Sequence, residues 1–271
     1  MTSRHFALLF GALCCPLYAA DTPPVSNDPQ TQLATQLAVS VAPGNVVWLE
    51  DQNQKTLAVF QPATTPQAQG AAILIPDSGM TPDGESVIGP LRRKLTEFGW
   101  STLAVHIPAI YDATAKVDSA ALMQATQSAL AAAEKFLAEK NLKPVVVIGI
   151  GLGATASAAT VNGQPAGLVL VSPQPGAKDD AAFYIPHTMS KLTLPILDIY
   201  GQRDAQPVLA SAAERAAAKK APTTGSTNAS YQQIMIPTAD YNFSGQEDLL
   251  AKRIVGWLRK HVLGPSKTNK K

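Results

Sequence analysis

Runs of apolar residues separated by polar segments predict strands and helices in alternation along this chain. Two short runs, 46–50 and 56–61, flank the polar turn "DQNQK" and are typical of a β-hairpin. Longer apolar runs predict buried parallel strands at 71–76, 101–108, 144–150, 167–173 and 194–201, with a last strand at 231–237. Residues 174–193 show no clear period and are predicted to be irregular.

Apolar residues three and four positions apart predict helices between these strands. In the segment 86–99, Val87, Leu91, Leu95 and Phe98 share one face, and Gly99 ends the helix. Further helices are predicted at 117–140, after the glycine cluster near residue 150, at 207–220 and at 246–261. This alternation indicates an α/β fold with a mostly parallel sheet of about eight strands and helices on both faces. Ligands of such sheets bind at the carboxyl ends of the strands.

The N-terminal region has the pattern of an export signal. Residues 1–20 combine a short basic start with an apolar run of about a dozen residues and small residues before Asp21, and the run is too short to cross a bilayer. Residues 21–43 are interpreted as a polar linker with one short helix at 30–38, and residues 264–271 as a disordered basic tail. We therefore expect a folded domain at 44–263, located in the periplasm, without a membrane span in the mature chain.

Cysteine usage and charge exclude several kinds of site. Cys14 and Cys15 lie in the signal, so the mature chain would have no disulfide and no thiolate chemistry. The formal charge of +2 gives no reason to expect nucleic acid as a partner. The histidines and carboxylates lack metal-ligand spacing, and we predict neither a metal nor a cofactor.

The glycine cluster "GIGLGA", residues 149–154, fits two motifs. As G-x-G-x-x-A it could bind a dinucleotide, but the next strand, "LVLVSPQP", lacks the acidic residue that would hold the ribose. As a nucleophile elbow, G-x-S-x-G, it has Gly149 and Gly153 in the flanking places and Gly151 where the serine belongs. The elbow accounts for more of the chain, because Asp204 follows a later strand and Tyr241 follows the last one.

With these segments the sequence resembles the α/β-hydrolase superfamily, and more narrowly an uncharacterised exported proteobacterial family with this fold. The phrases that carry the resemblance are "ILIPDSGMTPD", "PLRRKLTEFGWSTLAVHIP", "VVVIGIGLGATAS", "PILDIYGQRD", "IPTADYNF" and "RIVGWLRKH". The resemblance implies a Ser-acid-His triad with the acid at Asp204, and a degenerate nucleophile at Gly151 and base at Tyr241. It also implies oxyanion-hole N–H groups from Leu152 and from Gly79 or Met80.

Other side chains could replace the missing triad members. Ser78, in the loop that would carry an oxyanion donor, and His106, at the end of its strand, could face the site, although a turn hydroxyl and a structural histidine are the simpler interpretations. Ser157 is expected to pack inside a helix, and His187 to lie on a surface loop or over the pocket. Asp204 could also cap the following helix or accept a bond from Tyr241.

The function expected from this pattern is that of a pseudo-hydrolase: a protein with the hydrolase fold that binds a small-molecule ligand or an envelope protein. Glycine has no nucleophilic atom, and a tyrosine is a poor general base near neutral pH. The alternative is a hydrolase acting on an ester, acyl or envelope substrate through a non-standard nucleophile such as Ser78. A structural role in an envelope assembly, through the N-terminal segment or the tail, is a third hypothesis.

Overall fold

The computed structural model describes residues 28–41, 43–51, 54–108, 116–162, 165–220 and 230–264. Within these residues, eight strands form one sheet: β1 (Asn45–Asp51), β2 (Gln54–Gln61), β3 (Gly70–Ile75), β4 (Trp100–Val105), β5 (Val145–Ile150), β6 (Leu168–Val171), β7 (Ile196–Arg203) and β8 (Tyr231–Asp240). Their spatial order is β1-β2-β4-β3-β5-β6-β7-β8. β1 and β2 form the predicted hairpin, β2 pairs antiparallel with β4, and the remaining pairs are parallel.

Helices cover both faces of this sheet, as the alternating pattern predicted. They are α1 (Pro29–Ser40), α2 (Ile88–Glu97), α3 (Ser119–Glu139), α4 (Leu152–Thr160), α5 (Ile185–Lys191), α6 (Gln206–Lys220) and α7 (Glu247–His261). One apolar core joins α3, α4 and α5 to the sheet, and a second joins α2 and α7 to the opposite face. The predicted fold class, a mostly parallel α/β sheet, is therefore confirmed.

A helix packs on the sheet N-terminal to residue 44, the predicted start of the folded domain. Helix α1 includes the helix predicted at 30–38, and its side chains Ala34 and Leu37 pack with Val41 against Leu57 and Val59 of β2. Part of the predicted linker is thus folded onto the sheet. The apolar contact involves few residues, so the mostly polar composition of the segment did not predict it. The predicted signal, and residues 265–271 of the predicted tail, lie outside the described residues.

Two other elements differ in extent from their predictions. Helix α5 occupies part of the stretch predicted to be irregular, where a seven-residue helix with Pro186 in its first turn is too short to produce a helical period. Strand β8 continues past Pro237 to Asp240, which an edge strand permits because a proline there need not donate to a neighbour. None of the described helices has the length and apolar character needed to cross a membrane.

Candidate functional site

The site lies where β5 turns into α4. Gly151 forms this turn with φ 57° and ψ −123°, a backbone conformation that a side chain makes costly. The two flanking glycines allow close packing: a Cβ at Gly149 would lie 2.5 Å from the Ala154 Cα, and a Cβ at Gly153 would overlap the Pro76 carbonyl oxygen. The chain therefore has the strand-turn-helix geometry of an elbow, with glycine at its tip.

The Asp77 carboxylate occupies the space above this tip. Asp77 follows β3, and its Oδ1 accepts hydrogen bonds from the backbone N–H of Leu152 and of Ser78, both at 2.8 Å. Its Oδ2 accepts a hydrogen bond from the Tyr241 hydroxyl. Leu152 begins α4, so its N–H has no acceptor within the helix and the carboxylate satisfies it. The backbone donor assigned to an oxyanion hole is thus already bonded within the protein.

This arrangement leaves no room for a side chain at position 151. A Cβ built on Gly151 would lie 2.5 Å from the Asp77 Oδ2 and closer still to the Tyr241 hydroxyl oxygen. Both distances are shorter than non-bonded atoms tolerate without movement. Asp77 and Tyr241 therefore fill the volume that a serine at this elbow would need.

Tyr241 comes directly after β8, where the sequence placed the base position. Burial raises the pKa of its hydroxyl far above the usual 10.0, and the negative charge of Asp77 raises it further, while the Gln174 side chain opposes the shift. The phenol is therefore protonated at neutral pH and acts as a hydrogen-bond donor to Asp77. It does not have the properties of a general base.

The raised Tyr241 pKa predicts a pH-dependent loss of stability. Tyr241 keeps its proton in the folded protein above pH 10.0, whereas in the unfolded chain it ionises near that pH, so the free energy of unfolding should fall as the pH rises further. Tyr241→Phe has no hydroxyl to ionise, so its free energy of unfolding should fall less steeply with pH, by up to about 1.4 kcal/mol per pH unit. Urea unfolding followed by circular dichroism at several alkaline pH values would measure it. Parallel profiles for the two proteins would contradict the assignment.

Asp204 directly follows β7 but does not contact Tyr241 through a hydrogen bond. Its Oδ2 accepts from the Ser172 hydroxyl at 2.6 Å and from the Gly201 N–H at 3.0 Å. Its Oδ1 accepts from the Ala205 N–H at 2.8 Å, just before α6. Of the two structural roles considered for Asp204, the bond from Tyr241 is not formed, because the phenol donates to Asp77 instead. Asp204 holds together the ends of β6 and β7 and the start of α6.

The two proposed substitutes, Ser78 and His106, lie at the carboxyl ends of neighbouring strands. The Ser78 Oγ and the His106 Nδ1 are both buried, and neither finds a hydrogen-bond partner among the described residues. Burial lowers the pKa of His106 below its usual 6.5, which favours the neutral imidazole. Of the other predicted oxyanion donors, Met80 uses its N–H in a turn to the Asp77 carbonyl oxygen, and Gly79 is exposed.

Ser157, His187 and two further polar residues, His261 and Asp198, have structural positions. Ser157 is buried in α4 and donates to the Gly153 carbonyl oxygen, as a packing residue would. His187 is exposed on α5, and His261 stacks on Trp257 at the end of α7. Asp198 is fully buried in β7 and forms an ion pair with Arg215. No group of three or more potential metal ligands occurs in the part of the chain that the structure describes.

Sequence reasoning missed Asp77 and Gln174. Asp77 lies in the phrase "ILIPDSGMTPD" without an assigned role, although an acid immediately after a predicted buried strand, at the carboxyl edge of the sheet, is itself a signal. Gln174 lies after β6, and its backbone N–H bonds to the Gly151 carbonyl oxygen at 3.3 Å. Both residues belong to a pattern in the sequence: a polar residue directly follows most of the predicted parallel strands at the carboxyl edge of the sheet.

Solved structures with a similar fold are α/β hydrolases. Est1E from Butyrivibrio proteoclasticus matches with a TM-score of 0.61 at 14% identity, over 80% of this chain and 99% of that chain. XC6422 from Xanthomonas campestris, described as a member of the a/b serine hydrolases without lid, matches with a TM-score of 0.60 at 17% identity, over 81% of this chain and 95% of that chain. A dienelactone hydrolase from Anabaena variabilis matches with a TM-score of 0.59 at 18% identity, over 81% of this chain and 98% of that chain. At these identities the likeness shows the fold.

Comparison at the level of sequence gives a family. No curated protein matches the chain. A family model described as "Protein of unknown function (DUF3530)" matches residues 16–128 and 111–260, which is most of the chain. With its α/β-hydrolase fold and its glycine-tipped elbow, the chain belongs to the DUF3530 family.

Proposed function

We propose that this protein is a pseudo-hydrolase: an exported binding module of the bacterial envelope that retains the hydrolase fold without serine-hydrolase activity. The observation that carries the proposal is the position of the Asp77 carboxylate. It bonds the Leu152 N–H and the Tyr241 hydroxyl directly above Gly151. A substrate carbonyl cannot reach the Leu152 N–H while this carboxylate is in place.

Acyl transfer by the usual route needs a nucleophile, a general base and an oxyanion hole, and none of these is supplied at the elbow. Gly151 provides no nucleophilic atom, and the protonated Tyr241 phenol cannot accept a proton from one. The negative charge of Asp77 lies where an oxyanion would develop, so it would oppose that charge rather than stabilise it. The protein then acts by binding, and what it binds is a small-molecule ligand or an envelope protein.

Export is the second part of the proposal, and it rests on the N-terminal sequence. Residues 1–20 have the basic start, apolar run and small residues of a secretory signal, and both cysteines of the chain lie within them. A mature chain without cysteine is compatible with an oxidising compartment.

One preparation tests both parts. The full chain is expressed with its own N-terminus, extracted from the periplasm, treated with a fluorophosphonate that labels reactive serines, and weighed by intact mass spectrometry. We expect a mass that lacks residues 1–20 and carries no phosphonyl group, while an active serine hydrolase in the same mixture is labelled. Retention of residues 1–20 in a cytosolic protein would contradict export, and stoichiometric labelling would contradict the loss of activity.

A hydrolase that uses Ser78 is the second candidate. It is favoured by one observation, the buried Ser78 Oγ and His106 Nδ1 that lack hydrogen-bond partners among the described residues. In that case the fluorophosphonate would label the wild-type chain, and the label would disappear in Ser78→Ala. The Ser157→Ala variant is the matched control, because Ser157 is buried and bonded within α4.

A further inference from the structure

The Arg92 side chain connects the N-terminal segment to the loop that carries Asp77. Arg92 lies on α2, and its guanidinium group is completely buried. It donates to the carbonyl oxygens of Pro43 at 2.6 Å and Val41 at 3.3 Å, and to the Asp83 Oδ1 from Nε at 3.0 Å and from Nη2 at 2.7 Å. It also donates to the Gln61 Oε1 of β2 at 2.7 Å, so this one rigid group joins the N-terminal segment, β2 and the loop that carries Asp77.

The N-terminal segment, here named the strap, comprises residues 28–41 with 43 and 44. It is attached by a small apolar contact: among its described residues, Ala34, Leu37 and Val41 are buried against β2, and Leu33 packs there partly buried. A helix of 12 residues with so little apolar burial depends on its docking for stability. The strap therefore belongs to the parts of a protein that open before the whole domain unfolds.

Gly44 brings the strap into direct contact with Arg92. Its φ of +145° lies in the region that favours glycine, and a Cβ at this position would lie 2.7 Å from the Arg92 Nη1. The absence of a side chain is what lets the strap carbonyls reach the guanidinium. Any group added here must separate the strap from Arg92.

The loop between β3 and α2, here named the site loop, runs from Pro76 to Val87 and has Asp77 near one end and Asp83 near the other. Backbone hydrogen bonds make it compact: the Met80 N–H bonds to the Asp77 carbonyl at 3.0 Å, and the Gly84 N–H bonds to the Thr81 carbonyl at 3.2 Å. These turns connect Asp83 to Asp77 over a few residues. The Asp83 Oδ1 also accepts a hydrogen bond from the Arg93 Nη1 at 3.0 Å. A change in how Arg92, the buried one of these two arginines, holds Asp83 acts on the segment that positions the Asp77 carboxylate.

We propose that the strap regulates the elbow site. With the strap docked, Arg92 fixes the site loop and Asp77 covers the Leu152 N–H. When the strap leaves, Arg92 loses two carbonyl acceptors, the site loop loosens, and the Leu152 N–H becomes accessible to an oxygen of a ligand. By linkage, a ligand that displaces Asp77 weakens strap docking by the same factor. This inference rests on the proposed function, since it describes how the covered site of a binding module would open.

Amide hydrogen exchange measured by NMR on the mature chain tests the coupling. The variant Gly44→Ala disturbs the strap contact without changing Arg92 or any charge. We expect the strap amides and the Leu152 amide to exchange about tenfold faster or more than in the wild type, because Asp77 is the acceptor that protects the Leu152 N–H. Gly256→Ala is the matched control: a Cβ there meets nothing within 4 Å, and both regions should keep the wild-type rates.

Two results would overturn the proposal. Faster exchange of the strap with an unchanged Leu152 amide would show that the site loop does not depend on the strap. Unchanged exchange of the strap in Gly44→Ala would show that the contact with Arg92 does not hold it. Neither result concerns fluorophosphonate labelling of the wild-type chain, so the failure of this inference and the failure of the proposed function are separate outcomes.

Discussion

The Gly151→Ser variant is expected to have no esterase activity and to be less stable than the wild type by about 2–5 kcal/mol, combining overpacking with backbone strain. The serine Cβ would collide with the Asp77 Oδ2 and the Tyr241 hydroxyl. The hydroxyl would also lack a base, because Tyr241 is protonated. Urea unfolding measures the first effect and hydrolysis of a p-nitrophenyl ester the second.

Two further variants separate the causes of this loss. Gly245 also has a positive φ, of 72°, but a Cβ there meets nothing within 4 Å, so Gly245→Ser should cost only about 1 kcal/mol of backbone strain. The double variant Gly151→Ser with Asp77→Gly removes one collision and should be more stable than the sum of the single changes predicts. Clear ester hydrolysis by Gly151→Ser alone would mean that another base, with His106 the first candidate, already faces the elbow.

Breaking the buried ion pair between Asp198 and Arg215 is expected to have the other large effect. Both side chains are fully buried, with the Arg215 Nε 2.8 Å from the Asp198 Oδ2. Arg215→Met leaves the Asp198 carboxylate with two remaining donors, Tyr231 and Gln233, and without a positive partner. We expect a loss of about 3–5 kcal/mol in the free energy of unfolding, measured by urea unfolding at neutral pH.

The control for this prediction lies on the same helix. Glu214 precedes Arg215 in α6 and forms an exposed ion pair with Lys178 at 3.2 Å. Glu214→Gln should change stability very little, since solvent screens such a pair. Replacing both members of the buried pair, with Asp198→Leu and Arg215→Met, should restore part of the lost stability because no unpaired charge remains. A loss of less than 1 kcal/mol in Arg215→Met would contradict the importance of the pair.

The sequence predicted the sheet and the elbow because both depend on local patterns. The buried strands are continuous apolar runs, and β5 is recognisable as "VVVIGI" directly before the glycines. Gly149, Gly151 and Gly153 could be interpreted from their spacing alone. Asp204 and Tyr241 likewise follow the ends of strands that the pattern located.

The presence of the Asp77 carboxylate above Gly151 could not be predicted from local patterns. The position of the Asp77 carboxylate depends on the path of the site loop and on two donors far away in sequence, Leu152 and Tyr241. The docking of the strap was equally hidden, because Arg92 binds it through backbone carbonyl oxygens, which every residue possesses. A pattern of residue types contains no information about such contacts.

The crowding at Gly151 has a consequence for how this site can change over evolutionary time. A serine cannot be introduced at the elbow by one favourable substitution, since Asp77 and Tyr241 already occupy its volume. A lineage that moved toward serine chemistry would have to replace one of them first and lose the hydrogen bond between them, or accept the collision. Both paths pass through less stable intermediates. From the present arrangement, a serine at position 151 therefore requires more than one change before it can be accommodated without loss of stability.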